Sequence, residues 1–255
     1  MLKNETFCSL VKNTNLLSSQ DVSSYLKALC AEINSVHKIP QSSLSNCNGE
    51  WYELVLAIGA WNYSVEHNLD FVLLKIPNAA RFDLFSLYSK HIHDGLLHYR
   101  ERLQTEGISL SMSNPDFVIV KRDANRRHDA IDVSRLTVSD IDSINNEYKH
   151  YIHRCNNTEF IGVASAKVSL RPDRRFQLCN EAQIIKSVNE YLSKTNGWNE
   201  GNIKYISIAP SYSDADRSAL NVALTSSIVF GEPKLAIDNL VTVNDTQRDF
   251  GFMRI

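Results

Sequence analysis

The chain has 255 residues, of which 43% are hydrophobic and 22% are charged. These values are typical of a globular protein, so they exclude a disordered or fibrous chain. The formal net charge is −2, which excludes a polybasic coat protein for nucleic acid or membrane surfaces. A polyanionic partner would therefore have to bind at a local patch.

The cysteines and the N-terminus predict an intracellular protein. The five cysteines are an odd number and no pair has C-x-x-C spacing, which indicates neither a disulfide framework nor a zinc cluster. We expect reduced thiols and a cytoplasmic location. The first ten residues mix charged and polar side chains and do not resemble a signal peptide. The longest apolar run, residues 51–63, contains Glu53 and is too short to span a bilayer.

The first third of the chain reads as helical. Residues 1–48 suggest short helices with a joint at 42–48, so we expect a single domain over 1–255, with 1–48 as a candidate helical N-terminal subdomain. A helix over 50–65 and a strand over 69–76 follow. An amphipathic helix is predicted over 81–104, with an apolar stripe of Leu84, Tyr88, Ile92, Leu96, Tyr99 and Leu103.

Strands and helices then alternate. The predicted strands are 116–120, 160–167, 203–209 and 226–230, and the predicted helices are 137–152, 176–194 and 214–223. This alternation predicts an α/β fold with a mixed central sheet that is flanked by helices on both faces.

Two charged residues lie at strand ends. Asp116 opens an apolar strand directly after Pro115, and on that strand Asp116 shares a face with Val118 and Val120. Lys167 closes the otherwise neutral run 160–166. Taken alone, each fits an ordinary turn aspartate or a strand-end lysine that extends into solvent.

Two glutamates are predicted to be buried. Glu181 lies on the apolar stripe of its helix, and Glu53 is the only charged residue in the run 51–63. Burial of an unpaired carboxylate costs roughly several kcal/mol. Each glutamate should therefore have a basic partner or a metal ion. A structural ion pair is the alternative for both.

A basic segment follows Lys167. It contains Arg171, Asp173, Arg174 and Arg175, with Pro172 at a predicted turn. Arginine binds guanine through O6 and N7, and aspartate accepts a hydrogen bond from the cytosine amino group. The segment therefore carries groups suited to reading G·C pairs, while Arg175 and the stretch 121–127 are candidates for phosphate contacts.

Together these residues resemble a known superfamily. Pro115-Asp116, Ser165-x-Lys167, Arg171-Pro172-Asp173-Arg174 and Glu181 resemble the PD-(D/E)xK nucleases. More narrowly, they are similar to the type II restriction endonucleases that cut CCGG or CCNGG sites, the group of NgoMIV, EcoRII and SsoII. In that group a residue such as serine replaces the acid two positions before the lysine, and a glutamate on the next helix takes over its role.

The resemblance implies a restriction-endonuclease-like fold and a Mg²⁺-dependent cut in double-stranded DNA. Asp116 and Glu181, with the Ala166 carbonyl, would hold the metal, Lys167 would act on the attacking water, and Glu53 would support either the metal or the lysine. Arg171, Asp173 and Arg174 would read bases, and Arg175 and Ser165 would contact phosphates. A homodimer is the expected unit for a palindrome, with a tetramer left open.

Two other functions fit parts of the pattern. One is a structure-specific nuclease of DNA repair or recombination in the same superfamily, which the base-reading groups argue against. The other is a non-catalytic DNA-binding protein in which the acids form structural ion pairs. Digestion of a defined plasmid separates the three functions. A restriction enzyme predicts discrete bands, a repair nuclease predicts a smear or structure-dependent nicks, and a non-catalytic protein predicts intact DNA.

Overall fold

The structure is a computed structural model, and it describes residues 2–14, 21–38, 40–110, 113–125, 129–198, 203–229, 231, 233–245 and 249–253. The helices are α1 (Leu2–Thr14), α2 (Val22–His37), α3 (Gln41–Glu66), α4 (Lys90–Thr105), α5 (Val138–Asn146), α6 (Pro172–Asn196), α7 (Asp214–Leu220) and α8 (Thr225–Val229). The strands are β1 (Phe71–Lys75), β2 (Phe117–Lys121), β3 (Phe160–Ala166), β4 (Lys204–Ala209) and β5 (Asn239–Thr242). Short 3-10 segments cover Leu84–Leu87, Val133–Arg135, Glu147–Tyr151 and Asp249–Met253.

The five strands form one mixed sheet in the order β1-β2-β3-β4-β5. The first three strands are antiparallel, and β3, β4 and β5 are parallel. The long helix α6 provides the crossover that a parallel β3–β4 pair requires. The mixed sheet predicted from the sequence is therefore confirmed.

Helices cover both faces of the sheet. Phe117 and Ile119 of β2 lie in one apolar core with α3, whereas Val118 and Val120 lie in a second core with α6. This alternation is the expected consequence of side chains that point to opposite faces along a strand. Asp116 has the same parity as Val118 and so lies toward the α6 face.

The N-terminal helices pack on the α3 side of the sheet. Phe7 of α1 and Leu26 of α2 are fully buried in the same core as Trp51 and Val55 of α3. The joint predicted at 42–48 is wrong, because α3 runs without a break from Gln41 and begins directly after Pro40. The polar residues of this segment are mostly exposed on that helix.

Two other predicted elements differ from the structure. The helix predicted over 81–104 begins only at Lys90, because Asp83 accepts a hydrogen bond from the Phe85 amide and starts a separate 3-10 segment. Tyr88 is then extended, although it is buried as the stripe predicted.

The last strand was also misplaced. The described part of 226–230 is helical (α8), and the fifth strand of the sheet is β5, which the sequence did not indicate. Ile228 is 59% exposed, so it does not behave as a strand core residue. In the described residues, no helix combines the length and the apolar character needed to cross a membrane.

Candidate active site

Asp116 and Lys167 meet where β2 begins and β3 ends. The two strands are antiparallel, with Phe117 opposite Ala164, so the residue before β2 lies beside the last residues of β3. The Asp116 Oδ2 atom accepts hydrogen bonds from the Lys167 Nζ atom at 2.9 Å and from the Ala166 amide at 2.7 Å. The two side chains are 21% and 14% exposed, so the pair is accessible to solvent but largely screened from it.

Glu181 lies beside this pair. It projects from α6 toward β3, is 4% exposed, and accepts a hydrogen bond from the Ser165 hydroxyl at 2.6 Å. Ser113 donates to its other oxygen at 2.7 Å, and the Tyr205 hydroxyl is a third donor. Burial raises the pKa of Glu181, the three hydroxyl donors oppose that shift, and the negative charge of Asp116 adds to it.

The two acidic side chains are thus held by consecutive residues of one strand. Ser165 binds Glu181 and Ala166 binds Asp116, so the alignment of β3 sets their relative position. The Lys167 amide donates to the Ile208 carbonyl of β4 at 2.9 Å, which fixes the backbone at the lysine. The structure therefore brings together Asp116, Lys167 and Glu181, which are far apart in the sequence.

Glu53 approaches from the opposite face of the sheet. It forms an ion pair with Lys75, the last residue of β1. Burial is the main cause that raises the pKa of Glu53, the charge of Asp116 raises it further, and Lys75 and Lys167 oppose the shift. Glu53 therefore lies within electrostatic reach of the Asp116–Lys167 pair, with a lysine partner of its own.

The oxygen atoms of Asp116 and Glu181 fit a hard divalent cation. In the part of the chain that the structure describes, Asp116 Oδ1 accepts no hydrogen bond from the protein, and carboxylate oxygens are ligands that Mg²⁺ prefers. The described residues contain no group of three or more His, Cys, Asp or Glu side chains that could hold a metal. Mg²⁺ is commonly bound by one or two carboxylates with water and phosphate oxygens in its other positions, and two carboxylates satisfy that requirement.

The segment predicted to read bases is the start of a helix, so the helix predicted from residue 176 begins earlier, at Pro172. Pro172 is the first helical residue, where its lack of an N–H costs no hydrogen bond, and Arg171 is the N-cap. Arg171 pairs with Asp173 at 3.0 Å, and both side chains are about two-thirds exposed. Arg174 follows in the same turn and is partly exposed. The three predicted base contacts thus share one accessible helix end.

The predicted phosphate contacts fit less well. The Ser165 hydroxyl is 1% exposed and donates its proton to Glu181, so it has no proton left for a phosphate oxygen. Arg175 forms an ion pair with Asp216 at 3.4 Å and donates to the Ala215 carbonyl. A phosphate contact by Arg175 would therefore require its side chain to break its contacts with α7.

The stretch 121–127 lies at the other end of β2. Lys121 lies five positions along the strand from Asp116, about 17 Å at the usual rise. Arg122 there donates to the Ser64 carbonyl and hydroxyl. Arg126 and Arg127 lie outside the described residues.

Sequence reasoning did not predict three residues of the site. They are Lys75, Ser113 and Tyr205, which contact Glu53 or Glu181. Lys75 had a weak signal, since it closes an apolar strand as Lys167 does. Ser113 and Tyr205 had none, because an isolated polar group near a strand has many ordinary explanations.

The sheet topology and the Asp–Lys–Glu cluster define a nuclease of the PD-(D/E)xK-like restriction-endonuclease fold. The chain belongs to the Cfr10I/Bse634I restriction endonuclease family, whose family model matches residues 9–250. It is 32% identical to the type II restriction enzyme Cfr10I of Citrobacter freundii over 216 residues, which cover 81% of this chain and 75% of that enzyme. The chain is therefore a type II restriction enzyme homologue, that is, a site-specific deoxyribonuclease.

Solved structures agree with this family. A crystal structure of the type IIF restriction endonuclease Bse634I with cognate DNA superposes with a TM-score of 0.85 and 28% identity, covering 92% of this chain and 85% of that one. A second Bse634I structure gives a TM-score of 0.83 with the same identity and coverage. The comparisons confirm the restriction endonuclease family and fold, and they do not confirm the narrower CCGG/CCNGG group.

Proposed function

We propose that this protein is a Mg²⁺-dependent type II restriction endonuclease that reads a CCGG- or CCNGG-type palindrome in double-stranded DNA and hydrolyses a phosphodiester bond in each strand. The observation that carries this proposal is that two consecutive residues of β3, Ser165 and Ala166, hold Glu181 and Asp116 by hydrogen bonds. Asp116 is also bonded to the Lys167 ammonium. A cytoplasmic location accompanies the proposal, since that is where such an enzyme meets DNA.

Asp116 and Glu181 would hold the metal ion beside the scissile phosphate, and the Ala166 carbonyl is a third candidate ligand. When bound, Mg²⁺ lowers the pKa of a coordinated water and neutralises developing charge on the phosphate. Lys167 has no covalent role. Its ammonium, held by Asp116, orients the attacking water and stabilises the negative charge of the transition state.

Glu53 and Lys75 supply a second charged pair at the edge of this site. Because Lys75 neutralises Glu53, the pair limits the repulsion that a third carboxylate would exert on Asp116. Glu53 therefore either shapes the field around Lys167 or supports a second metal position. Its replacement by glutamine should reduce cleavage less than replacement of Asp116.

The N-terminal end of α6 is the proposed reading element. Arg171 and Arg174 would each bind a guanine, and Asp173 would accept from neighbouring cytosine amino groups. The Arg171–Asp173 pair is exposed, so exchanging it for contacts to bases costs little.

A palindromic site implies a symmetric protein. Two copies related by a twofold axis would each read one half-site and cut one strand, so a homodimer is the proposed minimum unit and a tetramer is compatible with it. The solved relative Bse634I was crystallised with cognate DNA, which supports DNA as the partner here.

Digestion of a sequenced plasmid with purified protein tests the proposal. Discrete bands that appear with Mg²⁺ and disappear with a chelator are expected, and the fragment ends should map to one palindrome. A smear or structure-dependent nicks would instead favour a repair nuclease. Intact DNA bound by the protein in the presence of Mg²⁺ would favour a non-catalytic binding protein.

A further inference from the structure

The two oxygens of the Glu181 carboxylate have different surroundings. Oε1 accepts hydrogen bonds from the Ser165 hydroxyl and from the Tyr205 hydroxyl, whereas Oε2 accepts one from the Ser113 hydroxyl. A carboxylate offers about four acceptor positions, roughly two on each oxygen. Counting donors from the described residues only, Oε1 is therefore saturated and one position on Oε2 remains.

We infer that Glu181 binds its divalent ion through Oε2 alone, and that Tyr205 is a positioning residue that imposes this choice. The inference rests on the proposed function, in which Glu181 is a metal ligand. It adds that the glutamate is monodentate and that a tyrosine outside the nuclease motif sets how tightly the ion is held.

Tyr205 is built to keep one orientation. It is fully buried, and its backbone N–H donates to the Asp238 carboxylate at 2.6 Å while its carbonyl accepts from the Asp238 amide at 2.8 Å. On β4 it lies opposite Val163, two residues before Ser165 on β3. Tyr205 and Ser165 therefore share the face that meets α6, and both reach the same oxygen of Glu181.

The tyrosine acts only as a donor toward the glutamate. The Tyr205 hydroxyl lies within hydrogen-bond distance of Glu181 Oε1. A carboxylate, in turn, can only accept. The contact is thus fixed in direction, which is the property expected of a group that orients a metal ligand.

The first test compares Tyr205→Phe with Tyr88→Phe. Tyr88 is a matched control, because it is also fully buried in the α6-side core and donates its hydroxyl proton to Asn189 at 2.8 Å, away from the acidic residues. The probe is Mn²⁺, which takes the same oxygen ligands as Mg²⁺, and its binding to the protein with plasmid DNA is measured by electron paramagnetic resonance. We expect Tyr205→Phe to weaken Mn²⁺ binding about 10-fold, the usual loss for an outer-shell partner, and Tyr88→Phe to leave it unchanged.

A second pair covers the case in which Tyr205→Phe does not fold. Ser165→Ala removes the other donor to Oε1, and Ser207→Ala is its control, since Ser207 lies directly opposite on β4, is equally buried, and bonds to Tyr212. The same loss of Mn²⁺ affinity is expected for Ser165→Ala and not for Ser207→Ala. Equal affinities in both pairs, or tighter binding by the Oε1 variants, would overturn the inference.

Failure of the inference and failure of the proposed function give different results. Glu181→Ala should bind Mn²⁺ far more weakly than the unchanged protein and should not cut. If Glu181→Ala binds Mn²⁺ normally, the metal centre itself is wrong. If Glu181→Ala behaves as expected while Tyr205→Phe and Ser165→Ala match their controls, only the role of the hydroxyl donors is wrong.

Discussion

Replacement of Lys167 by alanine removes an ammonium that directly contacts Asp116. The Lys167 Nζ atom lies 2.9 Å from Asp116 Oδ2, and at an effective dielectric constant of about 20 that separation gives an attraction of about 6 kcal/mol before desolvation is subtracted. Asp116 would keep its hydrogen bond from the Ala166 amide. Its carboxylate should therefore stay in place, with more negative charge available to a cation.

The expected result is a large loss of rate with intact metal binding. Loss of one group that stabilises transition-state charge typically lowers the rate by a factor of about 10² to 10³, or about 2.7–4 kcal/mol. Mn²⁺ affinity should be unchanged or higher, because the competing ammonium is gone. DNA binding should persist, since the predicted base contacts lie on α6.

The assay is single-turnover cleavage of plasmid DNA at saturating Mg²⁺, and Lys90→Ala is the control. Lys90 also pairs with an aspartate, Asp94 at 2.8 Å, but that pair is exposed on α4, and such pairs contribute little. The role given to Lys167 would be refuted if Lys167→Ala cleaved DNA within a factor of about 3 of the Lys90→Ala rate. Such a loss would be far smaller than the loss expected for a group that stabilises transition-state charge.

Three further outcomes are expected. Glu181→Gln should raise the Tm above that of the unchanged protein at pH 8, because burial raises the pKa of Glu181 and penalises its charged form. This gain in Tm should vanish as the pH falls toward 4.5, where the carboxyl group becomes protonated. A gain that grew at low pH would contradict the argument. Arg174→Ala should cost about 1–3 kcal/mol of base discrimination in competition binding, whereas uniform weakening on all DNA would make it a phosphate contact. Gly162→Ala should destabilise the fold by about 1–3 kcal/mol in urea titration, since its Cβ would lie 2.9 Å from the Lys204 carbonyl oxygen, and unchanged stability would refute that tight contact.

The sequence was most informative where a charge interrupts an apolar pattern. Glu181 could be predicted as buried because it replaces an apolar residue on a helical stripe, and its neighbours Leu178 and Ile185 are indeed buried. Asp116 opens one apolar strand and Lys167 closes another, so their place at the end of the sheet followed from strand geometry. That the two strands are neighbours did not follow from local patterns, and it entered through the resemblance to a nuclease superfamily.

Features set by tertiary contacts were not predictable. Tyr205 reads as one more aromatic strand residue, and only the meeting of β4 with α6 gives its hydroxyl a partner. The start of α6 was placed too late because Pro172 was interpreted as a turn residue, although proline is equally suited to the first helical position. Strand β5 is four residues long and only partly buried, so neither its length nor its pattern distinguishes it from a loop.

The most direct test of the metal centre is a crystal structure of the protein with DNA and Mn²⁺, using anomalous scattering to locate the ion. We predict a peak coordinated by Asp116 and by Glu181 Oε2, with the Lys167 ammonium and a phosphate oxygen beside it. A peak bound elsewhere, or a structure in which the two carboxylates contact only protein groups at saturating Mn²⁺, would contradict the account.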